Sequence, residues 1–203
     1  MSYSIVYADP PWSFGNRMYS SNKNDHHREI SRAYDVMSTA DICALNVKDI
    51  TADDCVLFMW TTDAHIPDAL EVMKAWGFKY KTVAFTWVKQ NKKADSYFMG
   101  LGYWTRANPE ICLLATRGNP KRIDKSVPNL VVSRLREHSR KPDVIRDRIV
   151  KLCGDLPRIE LFARECPQGW DVWGNEVPLT EQQEGGNGLP PTDKSVGIRP
   201  TIL

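Results

Sequence analysis

Cys55-Val56-Leu57-Phe58-Met59-Trp60 is an unbroken apolar run of strand length. A strand with one wet face alternates polar and apolar residues. A strand without alternation needs cover on both faces, which is the place of a central strand in a parallel sheet. The rest of the chain fits that frame. Ser4 to Ala8, Thr82 to Val88, Glu110 to Thr116, Leu130 to Ser133 and Ile159 to Ala163 read as further strands. Between them, Ser38 followed by Asp41 predicts a helix N-cap, with Ile42 and Leu45 on the apolar face. Pro67 predicts a first helical turn, followed by Leu70, Met73 and Trp76 at helical spacing and a stop at Gly77. Pro142 opens another helix, with Ile145, Ile149 and Leu152 on one face and Gly154 at its end. Strands alternating with helices predict an α/β fold, a mostly parallel sheet with helices on both faces.

The 203 residues and 42% apolar content suffice for one domain, expected over residues 1–177. From 178 to 203 the composition turns to Gln, Glu, Gly, Asn and Pro, and a disordered tail is expected. The five cysteines form no Cys-x-x-Cys pair, which argues against a zinc site or a disulfide framework. No metal is expected. Asp9 and two prolines interrupt the N-terminus too early for a signal peptide, and no apolar run reaches bilayer length. The expected setting is a reducing cytoplasm, away from membranes. A net charge of +2 decides little about partners.

The first strand runs directly into Asp9-Pro10-Pro11-Trp12. A carboxylate and a preset backbone carbonyl at the mouth of a strand are suited to holding a flat, weakly nucleophilic amine. Such an amine attacks a methyl sulfonium only when its lone pair is aimed at the methyl group. Asp9 would accept one N–H and the Pro10 carbonyl the other, with Pro11 stiffening the turn. Trp12 would offer a face for a base to stack on. In a plainer reading the prolines simply end the strand and Trp12 anchors the core.

With Leu57-Phe58-Met59-Trp60-Thr61-Thr62, Trp76-Gly77-Phe78, Thr86-Trp87-Val88-Lys89, Gly118-Asn119-Pro120, Arg140-Lys141-Pro142-Asp143, Ile159 to Arg164 and Gly174-Asn175-Glu176, the chain resembles the MT-A family of N6-adenine methyltransferases over residues 3–177. The resemblance implies a Rossmann-like fold that binds S-adenosyl-L-methionine, with the catalytic motif before the cofactor motifs. That permuted order would explain the missing Gly-x-Gly-x-x-Gly. It implies that Lys141 meets the methionine carboxylate, that Arg164 and Asn175 hold the ribose, and that Glu176 and Asp9 also face the cofactor. An upstream segment that contacts the cofactor adenine in larger members is expected to be missing, and Cys166 replaces a histidine found in some relatives.

On the substrate side, the loops Ser13–Tyr34 and Gln90–Trp104 are expected to close over nucleic acid. The second carries Lys92, Lys93, Tyr97, Phe98, Tyr103 and Trp104 beyond Lys89, a mixture suited to a flipped or single-stranded base. Asn108, in Asn108-Pro109-Glu110, is expected to touch the base. Residues 79–106 hold six Lys or Arg against one acid, and 117–148 hold ten against four. Both stretches could track phosphates. The resemblance favours DNA, with RNA open. Specificity would come from the loops or a partner chain, or be short and loose, and a homodimer or a partner subunit is a possible assembly. Cytosine-N4 methylation and a non-catalytic nucleic-acid-binding subunit remain as other readings.

Overall fold

A computed structural model of the chain describes residues 2–13, 36–102, 104–136, 140–174 and 177. Most of the first substrate loop, Tyr103, Asn175, Glu176 and the expected tail lie outside these residues.

Seven strands form one sheet: β1 (Tyr3–Ala8), β2 (Thr51–Thr61), β3 (Lys79–Gln90), β4 (Glu110–Arg117), β5 (Leu130–Arg134), β6 (Arg158–Leu161) and β7 (Asp171–Trp173), in the order β5-β3-β4-β2-β1-β6-β7. Six strands run the same way and β4 alone runs against them. The sheet is therefore mostly parallel, as expected, with one exception inside it. The reason is the connection. A parallel return needs a crossover, usually a helix. The segment from β3 to β4 instead doubles back through isolated bridges, Gln90 with Tyr97 and Gly100 with Ala107.

The apolar run at the centre of β2 does face cover on both sides. Val6, Ala8, Leu57 and Met59 pack with Ile42 of α1 (Thr39–Cys43), Val47 and Ile50 of α2 (Val47–Ile50), and Ala69, Val72 and Met73 of α3 (Ile66–Ala75). Their neighbours Ile5, Tyr7, Val56, Phe58 and Trp60 point the other way, onto Ile145, Ile149 and Cys153 of α4 (Val144–Cys153). Each such aliphatic side chain contributes about 1.5–3 kcal/mol when fully buried. Burial pushes the Cys55 thiol up to about 12 and Cys153 to about 11. They behave as small hydrophobes, not nucleophiles.

Local signals hold the ends. Ser38 accepts from the Asp41 N–H at 3.1 Å and caps α1. Gly77 takes φ +81° after α3, and the Phe78 N–H closes onto Met73 O at 2.8 Å. That is the left-handed C-terminal turn for which glycine is best suited. The Trp76 indole donates to Ile42 O at 2.9 Å and ties α3 to α1.

The consequence for function is geometric. The carboxyl ends of the six parallel strands and the start of β4 share one rim. Asp9 follows β1, Lys89 lies at the end of β3 and Glu110 opens β4, while Phe162 follows β6 and Gly174 follows β7. The chain leaves β1 toward β2 on one side and returns at β6 on the other. Ligands of open α/β sheets bind at such a reversal.

Candidate active site

Asp9 leaves β1 at the centre of that rim. The Trp12 N–H donates to Pro10 O at 2.9 Å, closing a γ-turn centred on Pro11. The bond fixes the direction of the Pro10 carbonyl and uses one of its two lone pairs. The Met37 N–H donates to Pro11 O at 2.9 Å. Trp12 is 7% exposed and donates its indole N–H to Trp60 O at 3.1 Å. Its ring lies against His65, with centroids 5.8 Å apart and planes 15° apart. In this arrangement Trp12 anchors the turn to the end of β2.

Lys141 comes to Asp9 from the opposite flank. Its Nζ lies 2.7 Å from Asp9 Oδ2 and 3.1 Å from Glu110 Oε2. Glu110 Oε1 in turn lies 2.6 Å from Lys89 Nζ. Four charges of alternating sign thus cross the rim, with side chains 26%, 12%, 9% and 13% exposed from Asp9 to Lys89. Both ammonium groups sit over indoles, Lys141 over Trp60 and Lys89 over Trp87, each 5.5 Å from the ring centroid.

Burial is the largest influence on Glu110 and on Lys141, and it opposes both charges. The neighbours outweigh it. Lys141 and Lys89 hold the Glu110 carboxyl below its usual range, and Asp9 and Glu110 hold the Lys141 ammonium above the usual lysine range.

The backbone of Lys141 is fixed as well. Arg136 donates to Lys141 O at 3.0 Å and pairs with Asp143 at 2.7 Å. Asp143 stands just before α4 and also meets Arg140 at 3.3 Å and Arg146 at 3.4 Å. Arg146 grips Glu160 of β6 through two bonds of 2.7 and 3.0 Å, which locks α4 against the sheet.

On the other side of Asp9, β6 runs into Phe162, a non-glycine residue at φ +62°. This backbone conformation costs on the order of 1–3 kcal/mol and gathers at functional turns. The Ala163 N–H donates to Trp173 O at 3.0 Å, so the turns after β6 and β7 lie back to back. At Gly174 an added Cβ would fall 2.1 Å from Ala163 O and 2.6 Å from Ala163 N. Only glycine lets these backbones approach so closely. Gly174→Ala is expected to destabilise the protein by about 1–3 kcal/mol through that overlap. A thermal melt measures the loss.

The structure therefore brings Asp9, Pro10, Lys141 and Lys89 together and sets half-buried Arg164 two residues beyond the Phe162 turn. Glu110 is the member to which sequence reasoning gives no role. The signal for it is a carboxylate opening an otherwise apolar strand. Asn108, expected at the base, spends its amide on the backbone. It donates to Lys89 O at 2.9 Å and to Phe98 O, and accepts from the Lys89 N–H at 3.1 Å. These bonds brace the root of the Gln90–Trp104 arm. Trp104 projects from the arm at 90% exposure, with Tyr97, Met99 and Leu101 also exposed.

The fold also sorts the basic stretches. Arg134 pairs with Asp95 at 2.5 Å, and Arg148 donates to Pro128 O and Leu130 O. Lys79 and Lys81 open β3 at the far end of the sheet. Ile123 bonds to Leu152 near the end of α4, so Lys121, Arg122 and Lys125 are also remote from the rim. Lys92 and Lys93 on the arm and Arg106 just beyond it are exposed, as is Arg140 beside Lys141. No helix among the described residues is long and apolar enough to cross a membrane.

The donor set suits S-adenosyl-L-methionine. A buried ammonium beside an acid fits an amino-acid head group, and a tightly packed turn bearing an arginine fits a ribose. Known proteins of similar sequence are methyltransferases. Type II methyltransferase M.MunI of Mycoplasma sp. is 36% identical over 189 residues, covering 87% of this chain and 78% of that protein. The N(6)-adenosine-methyltransferase catalytic subunit METTL3 of Homo sapiens is 28% identical over 179 residues, covering 86% of this chain and 28% of that protein. An MT-A70-like N(6)-adenosine-methyltransferase of Arabidopsis thaliana is 29% identical over 180 residues, 87% of this chain and 24% of that protein. The family model MT-A70 matches residues 3–176, a span that runs from the strand before Asp9 through the turn at Gly174, and the chain belongs to the MT-A70 family.

Proposed function

We propose that this chain transfers a methyl group from S-adenosyl-L-methionine to the N6 amine of adenine in nucleic acid, with DNA favoured over RNA. The observation that carries the proposal is the Asp9 turn. A carboxylate and an oriented Pro10 carbonyl stand side by side at the reversal point of the sheet, within reach of Lys141. The preference for DNA rests on analogy with small stand-alone members of the family.

The cofactor supplies an electrophilic methyl group on sulfur. Lys141 would hold its carboxylate and Arg164 its ribose, and the family resemblance adds Asn175 at the ribose and Glu176 beside it, both outside the described residues. Asp9 and the second lone pair of Pro10 O accept the two amine hydrogens of adenine. That geometry aims the amine lone pair and withdraws positive charge as the new bond forms. Trp12 keeps the turn in register. The Asn108 bracket presents the arm, where Trp104 would meet nucleotides outside the pocket.

The deciding assay incubates purified protein with methyl-labelled S-adenosyl-L-methionine and either DNA or RNA, followed by digestion to nucleosides. Label in N6-methyldeoxyadenosine is the expected result. Label in a methylcytidine overturns the base, label in RNA alone overturns the polymer, and no transfer overturns the activity. A second measurement concerns the arm. Trp104→Ala removes a side chain that is almost wholly exposed, so the melting temperature should hold. Nucleic-acid affinity should fall by about 1–3 kcal/mol, the usual worth of one stacked base.

A further inference from the structure

We propose that His65 is a positioning residue for the amine-holding turn, a third fixed point beside the γ-turn and the Trp12 indole bond. This rests on the function proposed above. His65 ends the short 3-10 turn Asp63–His65 that follows β2, and it is 6% exposed. Three contacts of the ring share one purpose. Its face lies on Trp12 at 5.8 Å. Its Nε2 lies 3.3 Å from Ser13 O, and its Nδ1 lies 2.9 Å from Thr62 Oγ1.

The chemistry of those partners sets the proton. A carbonyl oxygen only accepts, so Nε2 carries the hydrogen and donates it to Ser13. Nδ1 then accepts from the Thr62 hydroxyl, which has a proton to give. The Nε2–H tautomer satisfies both bonds together, and the Ser13 carbonyl selects it.

The mechanical result is a clamp. Trp60 O holds the Trp12 indole, His65 covers the ring face and holds the next carbonyl, and Trp12 N–H holds Pro10 O. The direction of the Pro10 carbonyl therefore depends on contacts made from the end of β2. Without His65 the turn keeps its prolines but loses its outer support. A displacement of about 1 Å at a reacting group is enough to cost about a hundredfold in rate. The path here is indirect, so a smaller loss is expected.

The test compares His65→Ala with His65→Gln, whose side-chain amide reaches the Ser13 carbonyl without an aromatic ring. The first readout is hydrogen exchange of the Trp12 indole N–H by NMR, its signal assigned with Trp12→Phe. The second is turnover at saturating nucleic acid. His65→Ala should exchange at least about tenfold faster, and its kcat should fall about tenfold with the KM for S-adenosyl-L-methionine within about twofold. His65→Gln should recover most of kcat. Unchanged exchange in His65→Ala overturns the clamp, as does faster exchange with kcat intact. A folded His65→Gln no better than His65→Ala also overturns it. If the wild-type protein transfers no methyl group to adenine, the proposed function fails, while indole exchange still decides whether His65 holds the turn.

Discussion

Asp9→Ala is expected to abolish methyl transfer while leaving S-adenosyl-L-methionine binding within a few fold of wild type. The turnover loss follows from position. Asp9 is the carboxylate beside the oriented Pro10 carbonyl, and removing it leaves the amine with one acceptor. Loss of a positioned group that takes up developing charge or a proton costs roughly a hundredfold to ten-thousandfold. Retained binding follows from the second partner of Lys141. Glu110 Oε2 stays 3.1 Å from Nζ, so the buried ammonium remains compensated and available to the cofactor carboxylate. Asp9→Asn supplies the control for shape. It fills the same space with a neutral group and should also fail in turnover. Single-turnover rates with labelled cofactor, beside a cofactor titration of each variant, check both halves. Full activity in either variant would sink the mechanism, and loss of cofactor binding in both would move Asp9 to the cofactor side.

How much of the molecule is legible in its sequence depends on the range of the interaction. The covered apolar run of β2, the Ser38 cap and the Gly77 stop are local signals, written within a few residues, and the structure repeats them. The antiparallel course of β4 is not legible. A strand reads alike in both directions, and only the looped connection after β3 decides which it takes. The three-residue β7 carries too short a pattern to stand out. Phe162 reads as strand because its side chain is apolar, whereas its backbone turns at φ +62°.

The site divides the same way. The reading of Asp9-Pro10-Pro11-Trp12 rests on four adjacent residues. The Lys141–Glu110 contact joins residues from different elements, and no spacing rule announces it. Net charge misleads for a related reason. A count over 117–148 treats Arg136, Arg140 and Arg146 as exposed cations, but the fold sets each against Asp143, with Glu165 beside Arg140 and Arg146. Trp12, expected to offer its face to a base, is instead buried against His65 and takes the plainer role of an anchor. Burying the indole is how the turn is held.

Glu110→Gln should move the pH dependence of both activity and stability, and the signs can be worked out in advance. Burial alone would drive the Lys141 pKa down, and Asp9 and Glu110 together reverse it. With Glu110 neutral, one of the two opposing charges is gone and burial weighs more. The alkaline limb of kcat/KM should then shift to lower pH, because Lys141 loses its proton sooner. Lys89 also loses the carboxylate at 2.6 Å and is left over Trp87 with its side chain 13% exposed. For stability, the Lys141 pKa is raised in the folded protein. Its contribution is complete below the unfolded lysine value and is lost as pH rises through the folded one. The Glu110 carboxyl is lowered, so its contribution is present above the unfolded glutamate value and is lost as pH falls through the folded one. The wild type should therefore keep the combined benefit across neutral pH. Glu110→Gln should lose stability there and converge toward the wild type in acid, where both have a neutral side chain at that position. Thermal melts from acid to alkaline pH, with activity profiles over the same range, carry the test. A uniform loss at every pH would mean that Glu110 serves only as packing, and an unmoved alkaline limb would disconnect it from Lys141.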